Sequence, residues 1–157
     1  MKKNKTIIII SWLLVIFWML IIFNFSAQAA SESNEISSEV TKIVVETIEK
    51  VAPNTAEELS NHIIRKNAHF FIYLILGALV VNGTRVVGIN KKKLIGFLIC
   101  VIYAMGDEFH QYFVPGRGPG IKDVLIDSAG AMLGIMLYSV LFIGIYKVKD
   151  SLYKKEE

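Results

Sequence analysis

Between Tyr103 and Gly134 the chain places four carboxylates (Asp107, Glu108, Asp123 and Asp127) together with His110, Gln111 and Arg117. An apolar run enters this stretch from Leu94 and another leaves it toward Tyr146. Ionisable groups inside apolar segments are costly, so they face one another or a wet cavity and commonly mark function. A carboxylate beside a histidine is equipped for general acid–base work, which makes Asp107 or Glu108 with His69 or His110 the candidates. Arg117 carries a planar fork that suits a phosphate or carboxylate, and that equally suits a structural pairing with Asp107, Glu108 or Asp123. Asp107 and Gln111 are four residues apart, and Glu108 and Gln111 three, so one helical face holds a carboxylate and an amide. The same pattern would serve a purely structural network. His110 beside Glu108 offers donor types that zinc accepts, but the spacing matches no metal motif, and neither a metal nor another cofactor is expected. There is no Gly-x-Ser-x-Gly elbow, no His-Glu-x-x-His and no recognisable phosphatase set.

Four elements must position these groups. A spanning helix needs roughly 20 mostly apolar residues, and segments at about 7–25, 68–84, 94–113 and 123–146 approach that. The predicted fold is all-α: a polytopic membrane protein built as a four-transmembrane-helix bundle, with residues 1–157 forming one domain. Chance does not gather the 54% hydrophobic residues into such blocks. The net charge of +3 is no nucleic-acid signal, because the basic residues segregate by loop. Cys100 is the only cysteine, which excludes an intrachain disulfide and a thiolate cluster; a packed, inert thiol is expected. Lys2, Lys3 and Lys5, an apolar run and Ala27-Gln28-Ala29 resemble a secretory signal, but the run exceeds the roughly 7–15 residues usual for one. A retained anchor is favoured.

Residues 33–66 are polar and acidic. Ile36, Val40, Ile43, Val44, Thr47, Ile48 and Val51 recur there at helical spacing against charges, and Pro53 stops that run. An extracytoplasmic amphipathic helical segment is predicted, lying over the bundle or the lipid surface, or serving as a lid or docking face. Arg65, His69 and Tyr73 then follow at intervals of four along one face of the second span. His69 reads as a packing histidine or as a catalyst or ligand. Asp107 lies roughly 20 Å along the third span, at about 1.5 Å per residue. Pro115 to Gly120 breaks that helix, and Gly130 with Gly134 offers a small face for close helix packing.

With an even number of spans both termini share a side. That side would hold Lys2, Lys3, Lys5, Arg85, Lys91 to Lys93 and the tail lysines, eleven in all, against six on the other. The positive-inside rule makes it cytoplasmic. His69, Tyr73, Asp107 to Gln111, Asp123 and Asp127 then share one depth near the outer surface, where a polar pocket is expected. The cytoplasmic half looks uniformly apolar, which disfavours transport.

Arg-Lys-Asn-Ala-His-Phe-Phe-Ile-Tyr-Leu-Ile-Leu-Gly (65–77), Asp-Glu-Phe-His-Gln-Tyr-Phe-Val-Pro-Gly-Arg (107–117) and Asp-Val-Leu-Ile-Asp-Ser-Ala-Gly (123–130) resemble the VanZ-like family, as does the Phe25-Ser26-Ala27-Gln28 exit from the first span. The resemblance carries over to His69, Tyr73, Asp107, Glu108, Gln111, Arg117, Asp123 and Gly130. It departs at Gly118-Pro119-Gly120, where a small polar group often follows the arginine. Asp127 stands where asparagine is also common, implying a need for a hydrogen-bonding group more than a charge. The family implies a small bacterial plasma-membrane protein, and its named member is associated with teicoplanin resistance. The expected partner is a membrane lipid, a lipid-linked wall precursor or a lipoglycopeptide antibiotic, held by Arg65, His69, Tyr73, Asp107, Glu108, His110, Gln111, Arg117, Asp123 and Asp127. A lipid-modifying membrane enzyme and a membrane scaffold are the alternatives.

Overall fold

The computed structural model describes residues 4–28, 42, 43, 46, 61–118 and 120–156, with the side chains of 61–65 and 145–156 left out. Every regular element among them is helical: α1 (Lys5–Ser26), α2 (Asn61–Val87), α3 (Lys92–Gln111) and α4 (Ile121–Glu156). Most of the expected amphipathic segment lies outside the described residues; Lys42, Ile43 and Glu46 are helical, and α2 takes over its last positions from Asn61.

Each boundary has a local cause. Asn4 begins α1 by accepting the Thr6 amide on its Oδ1 at 3.1 Å, satisfying one of the amide donors a helix start leaves open. The second helix runs on through Arg85 to Val87, so the connection to α3 is residues 88–91, shorter than the loop expected from Asn82. Arg85 therefore stands in a helix and not in a loop. Beyond α3 the chain turns through Phe113 N to His110 O at 3.0 Å and Arg117 N to Val114 O at 3.1 Å. Gly116 holds a φ of 74° there, which a side chain would oppose.

Three helical stretches, Lys5–Ser26, Lys66–Val87 and Ile121–Gly144, are long and apolar enough to cross a membrane. The expected span at 94–113 corresponds to α3, which has the length at 20 residues but carries Lys92, Lys93, Asp107 and Glu108. It turns a single stripe inward: Gly96, Cys100, Ala104, Asp107, Glu108 and Gln111 are its buried residues. Ser11, Val15, Ile22 and Ser26 form the matching stripe on α1. Outward faces are apolar, with Leu13, Phe17, Ile102, Phe109, Met136 and Val140 all more than half exposed. Such surface is what a chain with lipid as its outer solvent presents.

Val15, Ile22, Tyr73, Leu76, Val80, Cys100, Ala104 and Ala131 make the common core. The closest approach is between α2 and α4. A Cβ on Gly130 would fall on the Phe70 carbonyl oxygen, and one on Gly134 on that of Leu74. The small face expected at 130 and 134 thus meets helix backbone directly. Two long-range bonds lock α1 in place: Trp18 Nε1 donates to Ile72 O at 2.8 Å, and Tyr103 Oη to Met19 O at 2.6 Å.

Candidate functional site

The C-terminal ends of α1 and α3 meet the first turns of α4 and the early part of α2 at one end of the bundle. Helix periodicity brings Asp107, Glu108 and Gln111 to the inner stripe of α3, and all three are buried. Ser26 ends α1 directly opposite. Its hydroxyl donates to Asp107 Oδ2 at 2.7 Å, across 81 residues of sequence. Gln111 Nε2 reaches the Ser26 hydroxyl at 3.3 Å and Asp107 Oδ2 at 3.4 Å. Arg117 Nη1 donates to the Ser26 carbonyl at 3.4 Å, tying the turn after α3 to the end of α1. Glu108 accepts the Gly120 amide at 2.8 Å on Oε2. A carboxylate thus fixes the loop at Gly120.

The fourth helix contributes Asp123 and Asp127, one turn apart. Asp123 forms an ion pair with Lys66 Nζ at 2.9 Å. Asp127 is fully buried, and its Oδ1 lies 3.7 Å from His69 Nδ1, too far for a hydrogen bond. Neither Asp127 oxygen has a hydrogen-bond partner, and neither does Oδ1 of Asp107 or the Tyr73 hydroxyl. The polar neighbour of position 127 is therefore His69, at ion-pair rather than hydrogen-bond distance.

Lys66, His69, Glu108, Gln111, Arg117, Asp123 and Asp127, with Gly116, Gly118 and Ile126, line a cavity of ≈ 230 Å³. Six of the side chains singled out from sequence thus share a wall: His69, Glu108, Gln111, Arg117, Asp123 and Asp127. Asp107 lies beside that wall, buried under Ser26 and Gln111. Tyr73 is fully buried in the common core. His110 does not line that cavity: its ring rests on Phe23 at 4.4 Å, in a groove between Met19 and Phe23 of α1 and Ile99, Ile102 and Asp107 of α3. The backbone of Arg65 belongs to α2, and its side chain lies outside the described ones.

Two further residues complete the geometry. Lys66 adds a cation to the rim, and Ser26 joins Asp107, Gln111 and Arg117. Lys66 is legible as a basic residue beside the Arg65–His69 motif. Ser26 is signalled by the Phe25-Ser26-Ala27-Gln28 exit from the first span, without any hint of its partner.

A sequence model of VanZ/LLP1 matches residues 11–142. The chain belongs to the VanZ/LLP1 family. The match reaches from the buried Ser11 of α1 to Phe142 of α4, so it takes in all of α2 and α3 and most of α1 and α4. No curated protein and no solved structure matches the chain.

The opposite half of this VanZ/LLP1 protein departs from the apolar lining expected there. Arg85 Nε donates to Tyr138 Oη at 3.0 Å, and its Nη2 donates to Asn82 Oδ1 at 2.9 Å. Tyr138 also donates to Asn82 Oδ1 at 2.6 Å, and Asn82 Nδ2 reaches Ser11 Oγ at 3.4 Å. The guanidinium carbon sits 4.3 Å above the Phe142 ring. Each of these residues alone reads as an isolated polar position; only the crossing of α1, α2 and α4 assembles them.

Proposed function

We propose that the protein is a four-span bundle of the bacterial plasma membrane, with both termini cytoplasmic and the Lys66–Arg117 cavity open to the outside. In this reading the cavity takes the anionic head of an amphiphile: a lipid phosphate, a lipid-linked wall precursor or an acyl-tailed glycopeptide. The observation that carries it is the meeting of two surfaces at one place. Lys66, His69 and Arg117 line a polar cavity, while Phe109, Tyr112, Phe113, Ile121 and Leu125 stand exposed on the neighbouring turns. A head group finds charge-assisted donors in the cavity, and its tail finds apolar surface alongside. Protection against teicoplanin would follow from sequestering the drug or its wall target at the membrane face. Both directions of charge are needed, because Glu108 and Asp123 hold the loop and Lys66 in place.

The test is the minimum inhibitory concentration of teicoplanin in matched cells with and without the chain. Expression should raise it at least fourfold, and Arg117→Ala should return it to the level of cells lacking the protein. A wild-type chain that leaves the value unchanged counts against the resistance reading.

A second reading is favoured by the buried carboxylates of Asp107 and Asp127 near His69, which suit proton transfer on a bound lipid. Mass spectrometry of membrane lipids would reveal a product that disappears in Asp107→Asn. An unchanged lipid profile alongside a raised inhibitory concentration leaves binding alone.

A further inference from the structure

Beneath the cavity, one nitrogen of His69, one oxygen of Asp107 and one oxygen of Asp127 lie within 4.8 Å of one another. They come from α2, α3 and α4, so no spacing in the sequence announces them. Asp127 is completely buried and Asp107 is 3% exposed. Ordinary partners do not satisfy them. Ser26 and Gln111 occupy Oδ2 of Asp107, leaving Oδ1 without a hydrogen bond, and both Asp127 oxygens lack one. Lys66 is engaged by Asp123.

A separate residue points the same way. The Tyr73 hydroxyl, one turn beyond His69 on α2, is fully buried and has no hydrogen-bond partner. Three ligand-bearing side chains from three helices therefore converge, and the closest printed contact among them, His69 Nδ1 to Asp127 Oδ1, is 3.7 Å. Buried carboxylate oxygens without partners are expensive. A dication would supply the partner that these lack.

We propose that His69, Asp107 and Asp127 bind one divalent transition-metal ion of the zinc type. Imidazole with carboxylates suits zinc, while an all-oxygen set would suit magnesium or calcium. Zinc bonds of about 2.0–2.2 Å to nitrogen and oxygen bring such ligand atoms within roughly 3–4 Å of one another. Small side-chain rotations from the present spacing achieve that. Three protein ligands leave a coordination position for water or a ligand oxygen, and His69 and Asp127 both line the cavity from which it would arrive. Ser26 and Gln111 hold Asp107 in place as partners of metal ligands commonly do. The assignment deepens the head-group reading, since it gives that cavity an open coordination position for a head-group oxygen, but its measurement needs no lipid.

Full-length protein in detergent, stripped with a chelator and re-equilibrated with Zn²⁺, should retain one zinc per chain after gel filtration, read by elemental mass spectrometry. Co²⁺ in its place should give visible d–d bands. His69→Ala and Asp127→Asn should abolish both signals, while Lys93→Ala, at the other end of α3, should keep them. Wild-type protein that retains no zinc and shows no cobalt bands overturns the assignment whether or not the variants fold. Zinc retained equally by His69→Ala and Asp127→Asn overturns it too. Lipid binding without zinc binding removes this inference alone; zinc binding without lipid binding removes the head-group reading and leaves this one.

Discussion

The two ends of the bundle hold similar kinds of side chain and treat them in opposite ways. Around Arg85, Asn82, Tyr138 and Ser11, donors meet acceptors at 2.6–3.4 Å and an aromatic face closes the guanidinium over. None of those polar atoms is among the buried ones left without a partner. About 24 Å along α2, around His69, Asp127 and Tyr73, buried polar atoms stand without hydrogen bonds. A completed network rigidifies a fold, whereas an incomplete one is costly unless something else fills it. The Arg85 end fastens α1, α2 and α4, and the cavity end keeps capacity in reserve.

The shared crossing of α2 and α4 should give the largest effect, because both ends depend on it. Gly134→Val would drive a side chain into the Leu74 backbone and should cost about 3 kcal/mol or more, read as loss of a cooperative thermal transition in detergent. Arg85→Ala should come next, destabilising by about 2–3 kcal/mol through lost charged hydrogen bonds and the stacked ring. Teicoplanin protection per folded molecule should be unaffected. If protection falls while stability holds, the division between the two ends is wrong. Ser26→Ala removes the 2.7 Å bond to Asp107 and should cost about 1–2 kcal/mol; chemical unfolding would measure it. The smallest change should carry the opposite sign. Asp127→Asn removes a carboxylate without a hydrogen bond and should stabilise metal-free protein by about 1 kcal/mol. A loss of stability there would mean that the cavity end is as fully satisfied as its counterpart.

Much of this was legible before any coordinates. Helical spacing alone put Asp107, Glu108 and Gln111 on one inner stripe, and Gly130 with Gly134 on a close-packing face, because both follow from the rotation per residue within one helix. Cys100 is buried as its apolar surroundings implied. What spacing cannot supply is the rotation of one helix against another. Hence His110, next to Glu108 in sequence, turns onto Phe23, and Tyr73 packs into the core beneath the cavity it was expected to line. Ser26 is legible at the exit of the first span, but its pairing is not, because Asp107 is 81 residues away. The Arg85 network escaped notice because a lone arginine near a predicted helix end looks like a loop charge, and only the continuation of α2 to Val87 puts it opposite Tyr138.

Native mass spectrometry of the purified chain with lipids tests the central claim most directly. Wild-type protein and Arg85→Ala should retain an anionic phosphate-bearing lipid in preference to phosphatidylcholine, while Lys66→Ala with Arg117→Ala should abolish that preference. Equal retention of both lipids by the wild type, or a preference that vanishes with Arg85 and survives the loss of Lys66 and Arg117, would contradict it.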